Sequence, residues 1–324
     1  MTHDSAPLTD TTPLVSVVIP AYEVAAHIGG TLASVFAQDY RNFEVLLVND
    51  GSPDTPALEE AIAPYRSRIV YLTQANGGPS AARNAAIARC NGEWIAFLDG
   101  DDRWLPHCLS DQVARATADP GLAVLHGDAE IIGDPRYADK TLRQLNASGA
   151  EATFVTLVAA KAVITTSCSM VRRDTCVAVG MFDPALRRSE DFDLWLRIAH
   201  AGGRFDGTHR VLGQYRRDGT GASSDLTAMA DSVLRVLHKC ERTLTLSAGE
   251  REVIAAARQH EIAVKRLLVG KRAFAEGDFR TARSALREAN SVLRSVKLWL
   301  VVLGLTVAPH VISRLYRLAT ARRG

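Results

Sequence analysis

Cysteine is scarce in this chain: five residues in 324, Cys90, Cys108, Cys168, Cys176 and Cys240, with no C-x-x-C spacing. An odd, scattered set argues against a disulfide framework and a zinc cluster, and for the reducing cytosol. Long apolar runs are missing too. The most apolar stretch, Leu298–Ile312, is too short to span a bilayer comfortably, and Pro309 interrupts it. The opening MTHDSAPLTDTTP has no hydrophobic core of the kind a secretory signal needs, and residues 1–13 read as a disordered tail. Basic patches interleaved with aromatics are lacking, which argues against a nucleic-acid partner. The net charge is only +2, but it is unevenly placed. From residue 251 onward 15 Lys and Arg face 5 Asp and Glu, whereas the first 250 residues carry 23 against 31. The acidic part can hold a cation, and the basic part can meet an anionic surface.

What is present is an alternation. Apolar runs without a two-residue period, Leu14–Ile19, Phe43–Val48, Ile69–Leu72 and Trp94–Leu98, read as strands buried on both faces. Helical spacing separates them at Ile28–Ala37, Ala57–Tyr65 and Ser80–Arg89. Strand and helix in turn, with short connections, imply an α/β fold with a mostly parallel central sheet and helices on both faces. Ligands of such sheets lie beyond the carboxyl ends of the strands. The polar clusters Pro20–Glu23, Asn49–Ser52 and Asp99–Asp102 sit at those ends and are expected to share one crevice. Further strands are expected at Ala123–Leu125, Val163–Val171 and Arg210–Tyr215, with an aperiodic loop at Asp134–Gly149 suited to a lid.

Chemistry concentrates in WIAFLDGDDRW, Trp94–Trp104. A buried strand there ends in Asp99, Asp101 and Asp102 around one glycine. Carboxylates so close repel one another unless something positive lies between them. Hard divalent cations such as Mg2+ or Mn2+ suit that oxygen-rich set, and a polar strand-capping loop is the plainer alternative. Asp50 by itself is more often a turn-former than a ligand. Arg83 and Asn84, in the first turns of a helix after two glycines, lie where a phosphate is favoured, with a solvated helix face as the plainer alternative. Tyr22 can stack on a base or fill a wall. In SEDFDLWLRIA, Ser189–Ala199, Ser189 is an N-cap candidate and Glu190 and Asp191 suit the helix dipole, with or without a catalytic role.

Taken in order, VSVVIPAYE, VNDGSPD, NGGPSAARNAA, WIAFLDGDD and SEDFDLWLRIAHAG resemble the family 2 glycosyltransferases over roughly Leu14 to Ser224. The resemblance implies a GT-A fold and an inverting, metal-dependent, hexosyltransferase-type enzyme. Such an enzyme moves a sugar from a nucleotide-diphosphate donor to a hydroxyl on a saccharide or lipid-linked acceptor, here in bacterial polysaccharide or glycolipid synthesis. Carried over residue by residue, it implies that Pro20, Ala21, Tyr22 and Glu23 line the nucleoside pocket, Asp50 binds the base and Arg83 lies near the nucleotide. Asp99 and Asp101 match the D-x-D pair, Asp99 facing the ribose and metal and Asp101 coordinating the metal. Asp191 matches the catalytic base. Two positions depart from the family pattern: Glu23 stands where Asn is common, and Tyr215-Arg216-Arg217-Asp218 lacks a frequent histidine. Two other readings use the same residues: a sugar-phosphate nucleotidyltransferase, and a nucleotide-sugar-binding module that recruits partners without turnover. The first would want a basic, glycine-rich phosphate loop, and Pro20–Gly30 holds no Lys or Arg.

Domains are expected at 14–225 for the glycosyltransferase part and 226–324 for a helical carboxyl-terminal region. Within the latter, Leu226–Leu246 and Glu250–Leu268 read as helices and Lys271–Ala289 as a tetratricopeptide-like helix hairpin about Gly277-Asp278. Arg294 and Lys297 precede the apolar Leu298–Ile312 segment, and Arg314, Arg317, Arg322 and Arg323 follow it. Residues 294–324 therefore suit either a peripheral contact with the inner face of the membrane or docking on the main domain.

Overall fold

The computed structural model describes residues 12–146, 149–219 and 225–310. It divides into two compact units, one up to Gly221 and one from Ala222.

The first unit is built on a sheet of eight strands: β1 (Val15–Ala21), β2 (Phe43–Asn49), β3 (Val70–Thr73), β4 (Trp94–Phe97), β5 (Arg103–Trp104), β6 (Leu122–Ile132), β7 (Ser169–Arg172) and β8 (Arg204–Arg216). Their spatial order is β3-β2-β1-β4-β7-β6-β8-β5. The first four of that order run parallel, as do β6 and β8, while β7 and β5 run against their neighbours. Every residue of β4 is buried, and so is all of β1 but Pro20, as expected of strands covered on both faces. By contrast β3, at the edge, has no fully buried residue.

One face carries α1 (Ala25–Phe36), α2 (Thr55–Ile62) and α4 (Cys108–Ala118), with α3 (Pro79–Ile87) between the last two in the chain. Ile28, Leu32, Leu58, Ile62 and Leu109 close there over Val17, Ile19, Ala96 and Met170. The short α5 (Leu142–Asn146), α6 (Phe154–Val158) and α7 (Arg173–Ala178) precede α8 (Glu190–His200). On the other face Phe97 meets Phe182 edge-on at 5.2 Å and Trp195 of α8 at 6.3 Å.

Three expectations are corrected. The run Val163–Val171 is strand only from Ser169, because Thr166–Cys168 tightens into a 3-10 turn. Asp134–Gly149 is not uniformly loop: it contains a 3-10 turn at Pro135–Tyr137 and α5, with residues 147–148 outside the described set. Ser189 does not cap α8 with its side chain, since its backbone is left-handed at φ 56° and its buried Oγ has no partner among the described residues.

The second unit contains α9 (Leu226–Thr243), α10 (Ala248–Glu276), α11 (Phe279–Leu293) and α12 (Val296–Val307). α10 opens on a capping box, Ser247 with Glu250, and ends at Gly277, whose φ of 87° only glycine adopts without strain. The hairpin about Gly277-Asp278 is present, but its first arm is the end of the 29-residue α10 and not a separate helix. Ala273, Ala282, Leu286 and Leu305 form its small core. No helix among the described residues is long and apolar enough to cross a membrane. Arg314, Arg317, Arg322 and Arg323 lie outside the described residues.

Candidate active site

The ends of β1, β2 and β4 meet through the backbone. Asp50 N donates to Ala21 O at 3.0 Å, and Glu23 N donates to Ser52 Oγ at 2.7 Å. A Cβ on Gly100 would come within 2.9 Å of Val24 and 3.1 Å of the Pro20 carbonyl, so only glycine lets the acidic loop press on this segment. Tyr22 leaves 44 % of its surface open above it. Glu23 is held at φ 54°, a conformation that Asn tolerates better than Glu.

Asp50 is 2 % exposed and serves the neighbouring loop. Its Oδ1 accepts from Gln74 Nε2 at 2.7 Å and Gly77 N at 2.9 Å, and its Oδ2 from Gly78 N at 2.8 Å. A carboxylate has about four acceptor positions, so about one remains for a ligand. The loop it fixes leads into α3 and hence to Arg83.

Arg83 joins the two distant acidic motifs. Its two terminal nitrogens donate at 2.6 Å to Asp99 Oδ1 and at 2.6 Å to Glu190 Oε1. The guanidinium is buried; burial works against its charge, but the two carboxylates hold the pKa above its ordinary value. Glu190 is thereby committed to an ion pair. Its neighbour Asp191 is not: Oδ2 accepts from Thr166 Oγ1 at 2.6 Å and Oδ1 from Phe192 N at 2.7 Å, and the side chain stays half-buried.

The 3-10 turn completes the frame. Ser167 Oγ donates to Asp102 Oδ2 at 2.5 Å and accepts from Asp99 N at 3.1 Å. The other Asp102 oxygen accepts from Arg216 N at 2.8 Å, which ties the end of β8 to the acidic loop. Thr31 Oγ1 donates to the Gly100 and Asp102 carbonyls from α1. Asp191, Asp99 and Asp102 are therefore bound to one two-residue segment, Thr166-Ser167. Nothing in the sequence marked that pair, because it sits inside Val163–Val171, which reads as strand.

Electrostatics inside the frame favour a cation. Burial and the charge of Asp99 push Asp101 up to about 6, with Asp218 adding to the rise and Arg216 opposing it. Burial and the charges of Asp99 and Asp101 push Asp102 well above the carboxylate range. Burial is the larger cause of both shifts and carboxylate repulsion the second, and a divalent ion would offset both by favouring the charged forms. Among the described residues no three His, Cys, Asp or Glu side chains are gathered as a finished metal cluster. The donor set nonetheless fits a hard ion: among the described residues the Asp101 carboxylate takes no hydrogen bond from another side chain, Arg216 Nε donating at 3.2 Å to its backbone carbonyl instead, and Asp99 has Oδ2 outside its pair with Arg83, whereas both oxygens of Asp102 are engaged. Such ions complete their shell with water and phosphate oxygens.

A curled sheet of this strand order, with acidic loops at the carboxyl ends, defines a GT-A transferase fold. Two solved structures share it. One is S. aureus TarS residues 1–349 in complex with UDP-GlcNAc, at TM-score 0.64 and 16 % identity over 94 % of this chain and 92 % of that one. The other is the mannosyltransferase PcManGT of Pyrobaculum calidifontis in complex with GDP-Man and Mn2+, at TM-score 0.64 and 20 % identity over 97 % and 85 %. The glycosyl transferase family 2 model matches residues 16–179, and the chain belongs to that family. Among sequence relatives, the teichuronic acid biosynthesis glycosyltransferase TuaG of Bacillus subtilis is 27 % identical over 72 % of this chain and 91 % of its own length. The chain spans about a third of the length of its matched relatives from Rickettsia felis and Rickettsia conorii.

Proposed function

We propose that the protein is an inverting, metal-dependent hexosyltransferase with Asp191 as general base, acting in bacterial polysaccharide or glycolipid synthesis. The observation that carries this reading is the contact chain Asp99–Arg83–Glu190 beside Thr166–Asp191, which ties the acidic loop to the start of α8. Asp101 and Asp99 would hold Mg2+ or Mn2+, which supplies Lewis-acid neutralisation of a leaving diphosphate. Pro20, Ala21, Tyr22 and Glu23 line the nucleoside side, with Tyr22 open for stacking and Asp50 fixing the adjacent loop and offering its remaining acceptor position to the base. Arg83 holds Asp99 in place through their ion pair at 2.6 Å. Asp191 takes the proton of the acceptor hydroxyl as its oxygen bonds to the anomeric carbon, and the bond from that carbon to the diphosphate oxygen breaks. Names of relatives and neighbours support the donor class: a UDP-sugar for TarS, GDP-Man with Mn2+ for PcManGT. TuaG supports the polysaccharide setting.

The test is turnover of UDP-, GDP- and dTDP-sugars by the full chain with Mn2+. Asp191→Asn should lower transfer by about 10²–10⁴-fold, the usual worth of a positioned base, and leave nucleotide binding by calorimetry nearly unchanged. Asp101→Ala should instead weaken Mn2+-dependent binding. Equal turnover in Asp191→Asn would end the assignment.

The same reading puts the enzyme at the cytoplasmic face of the membrane, in peripheral contact through residues 294–324. On α12, Val296, Trp299, Leu300, Leu303 and Val307 are all 45 % exposed or more, beside Arg294 and Lys297. An apolar face next to basic side chains suits an anionic lipid interface. Co-flotation with anionic liposomes, lost on truncation at Ser295, is the expected result.

A further inference from the structure

The first unit holds a cavity of about 250 Å³ on β6, β8 and the α5 region, lined among others by His126, Asp128, Arg143, Glu151, Val163 and Thr165. It touches the site already described through one residue. Thr165 is on its wall, and the next residue, Thr166, donates to Asp191. The cavity wall is thus continuous along the chain with the residue that holds the carboxylate assigned as base.

Its walls are polar but close to balanced. Asp206 is neutralised by Arg115 at 3.0 Å. Asp128 spends Oδ1 on Ala129 N at 2.8 Å and Arg143 N at 3.0 Å, which leaves Oδ2 available. Among the described residues, neither the Arg143 guanidinium nor the Glu151 carboxylate makes an ion pair or hydrogen bond through its side chain. Burial, reinforced by Arg115, pushes His126 down to about 4, so its imidazole is a neutral donor and acceptor at pH 7. With Asp128 and Glu151 against Arg143, the cavity carries about one net negative charge. Acceptors and a donor placed around Leu142 and Val163 match a ring that offers hydroxyls at its edge and C–H groups on its face. Carboxylates accept from hydroxyls, and a guanidinium donates to two oxygens at once. The volume is below the roughly 300–1,000 Å³ of pockets that enclose drug-sized ligands, and so suits one ring.

We propose that this cavity is the acceptor subsite, and that it takes a single uncharged sugar ring and discriminates against uronic acids and phosphorylated sugars. This rests on the transferase reading but fails separately from it, because none of the residues assigned to the nucleotide lines the cavity.

Saturation-transfer NMR on the full chain with UDP and Mn2+ tests it, using methyl β-glucopyranoside, methyl N-acetyl-β-glucosaminide and methyl β-glucuronide as probes. The expected result is signal from one or both neutral glycosides, at least fivefold above the glucuronide. Ala150→Trp, at an exposed lining position, should abolish that signal, and Glu151→Gln should reduce it severalfold, with circular dichroism checking the fold. The UDP resonances report on the nucleotide site in the same tube. No neutral-glycoside signal in the wild type, a glucuronide signal that equals or exceeds it, or a signal unchanged in both variants would overturn the proposal. Loss of the UDP signal in the wild type would instead strike the transferase reading.

Discussion

The two compact units solve the same problem in different ways. In the α/β unit, buried charge is common: Asp50, Arg83, Asp102, Glu190 and Asp193 are all less than a tenth exposed, and those whose partners are traced above have them fixed by hydrogen bonds or ion pairs. In the helical unit the core of the α10–α11 hairpin is alanine and leucine, and its charges lie outside. Charge is tolerable inside the first unit because sheet and loops supply backbone donors at set positions. A helix hairpin uses its backbone donors internally and has few to offer. Function belongs where spare donors allow carboxylates to be crowded without being silenced.

The contrast can be broken most forcefully at its ion pairs. Arg83→Met strands Asp99 and Glu190 without their cation, and loss of one partner of a buried pair typically costs about 3–5 kcal/mol. Urea unfolding should show that loss together with weaker Mn2+ binding. If Arg83→Met unfolds like the wild type, buried charge is not what holds this unit.

A middle-sized effect belongs to acid. His126 takes up a proton more readily in the unfolded chain, at its ordinary value of 6.5, than in the fold, at about 4. Between those values the unfolded state binds more protons, so stability falls as pH drops from about 6.5 towards 4. His126→Gln should flatten that part of the pH–stability curve relative to the wild type, and an unchanged slope would mean that the imidazole charges in place. Smaller still is Glu23→Asn. Relief of a left-handed backbone at an exposed position should add up to about 1 kcal/mol, read as a raised melting temperature. The smallest effect is expected in the helical unit, where Arg266 and Glu288 pair at 3.0 Å with about half of each side chain exposed. Removing Arg266 there should cost less than about 1 kcal/mol, because water already solvates both charges. Parity between Arg266→Met and Arg83→Met would erase the distinction between the units.

Much of this architecture is legible in the chain. Val15–Ala21, Phe43–Asn49 and Trp94–Phe97 are apolar on both sides of the pleat, and that alone makes them central strands with ligand-facing ends. Asp99, Asp101 and Asp191 stand out because acidic clusters at a strand end and a helix start are local patterns. The α10–α11 turn announces itself in Gly277-Asp278. What local pattern could not show is that Arg83 would cross 107 residues to Glu190, or that Thr166 and Ser167 would leave a strand-like run to grip Asp191 and Asp102. The sequence determined which residues are apolar on which side, hence the sheet, the order of its strands' functional ends and the family. Tertiary structure alone decided which carboxylate is locked and which is left half open, since that depends on side chains far apart in the chain competing for the same few oxygens. Spacing carries no information about such a competition.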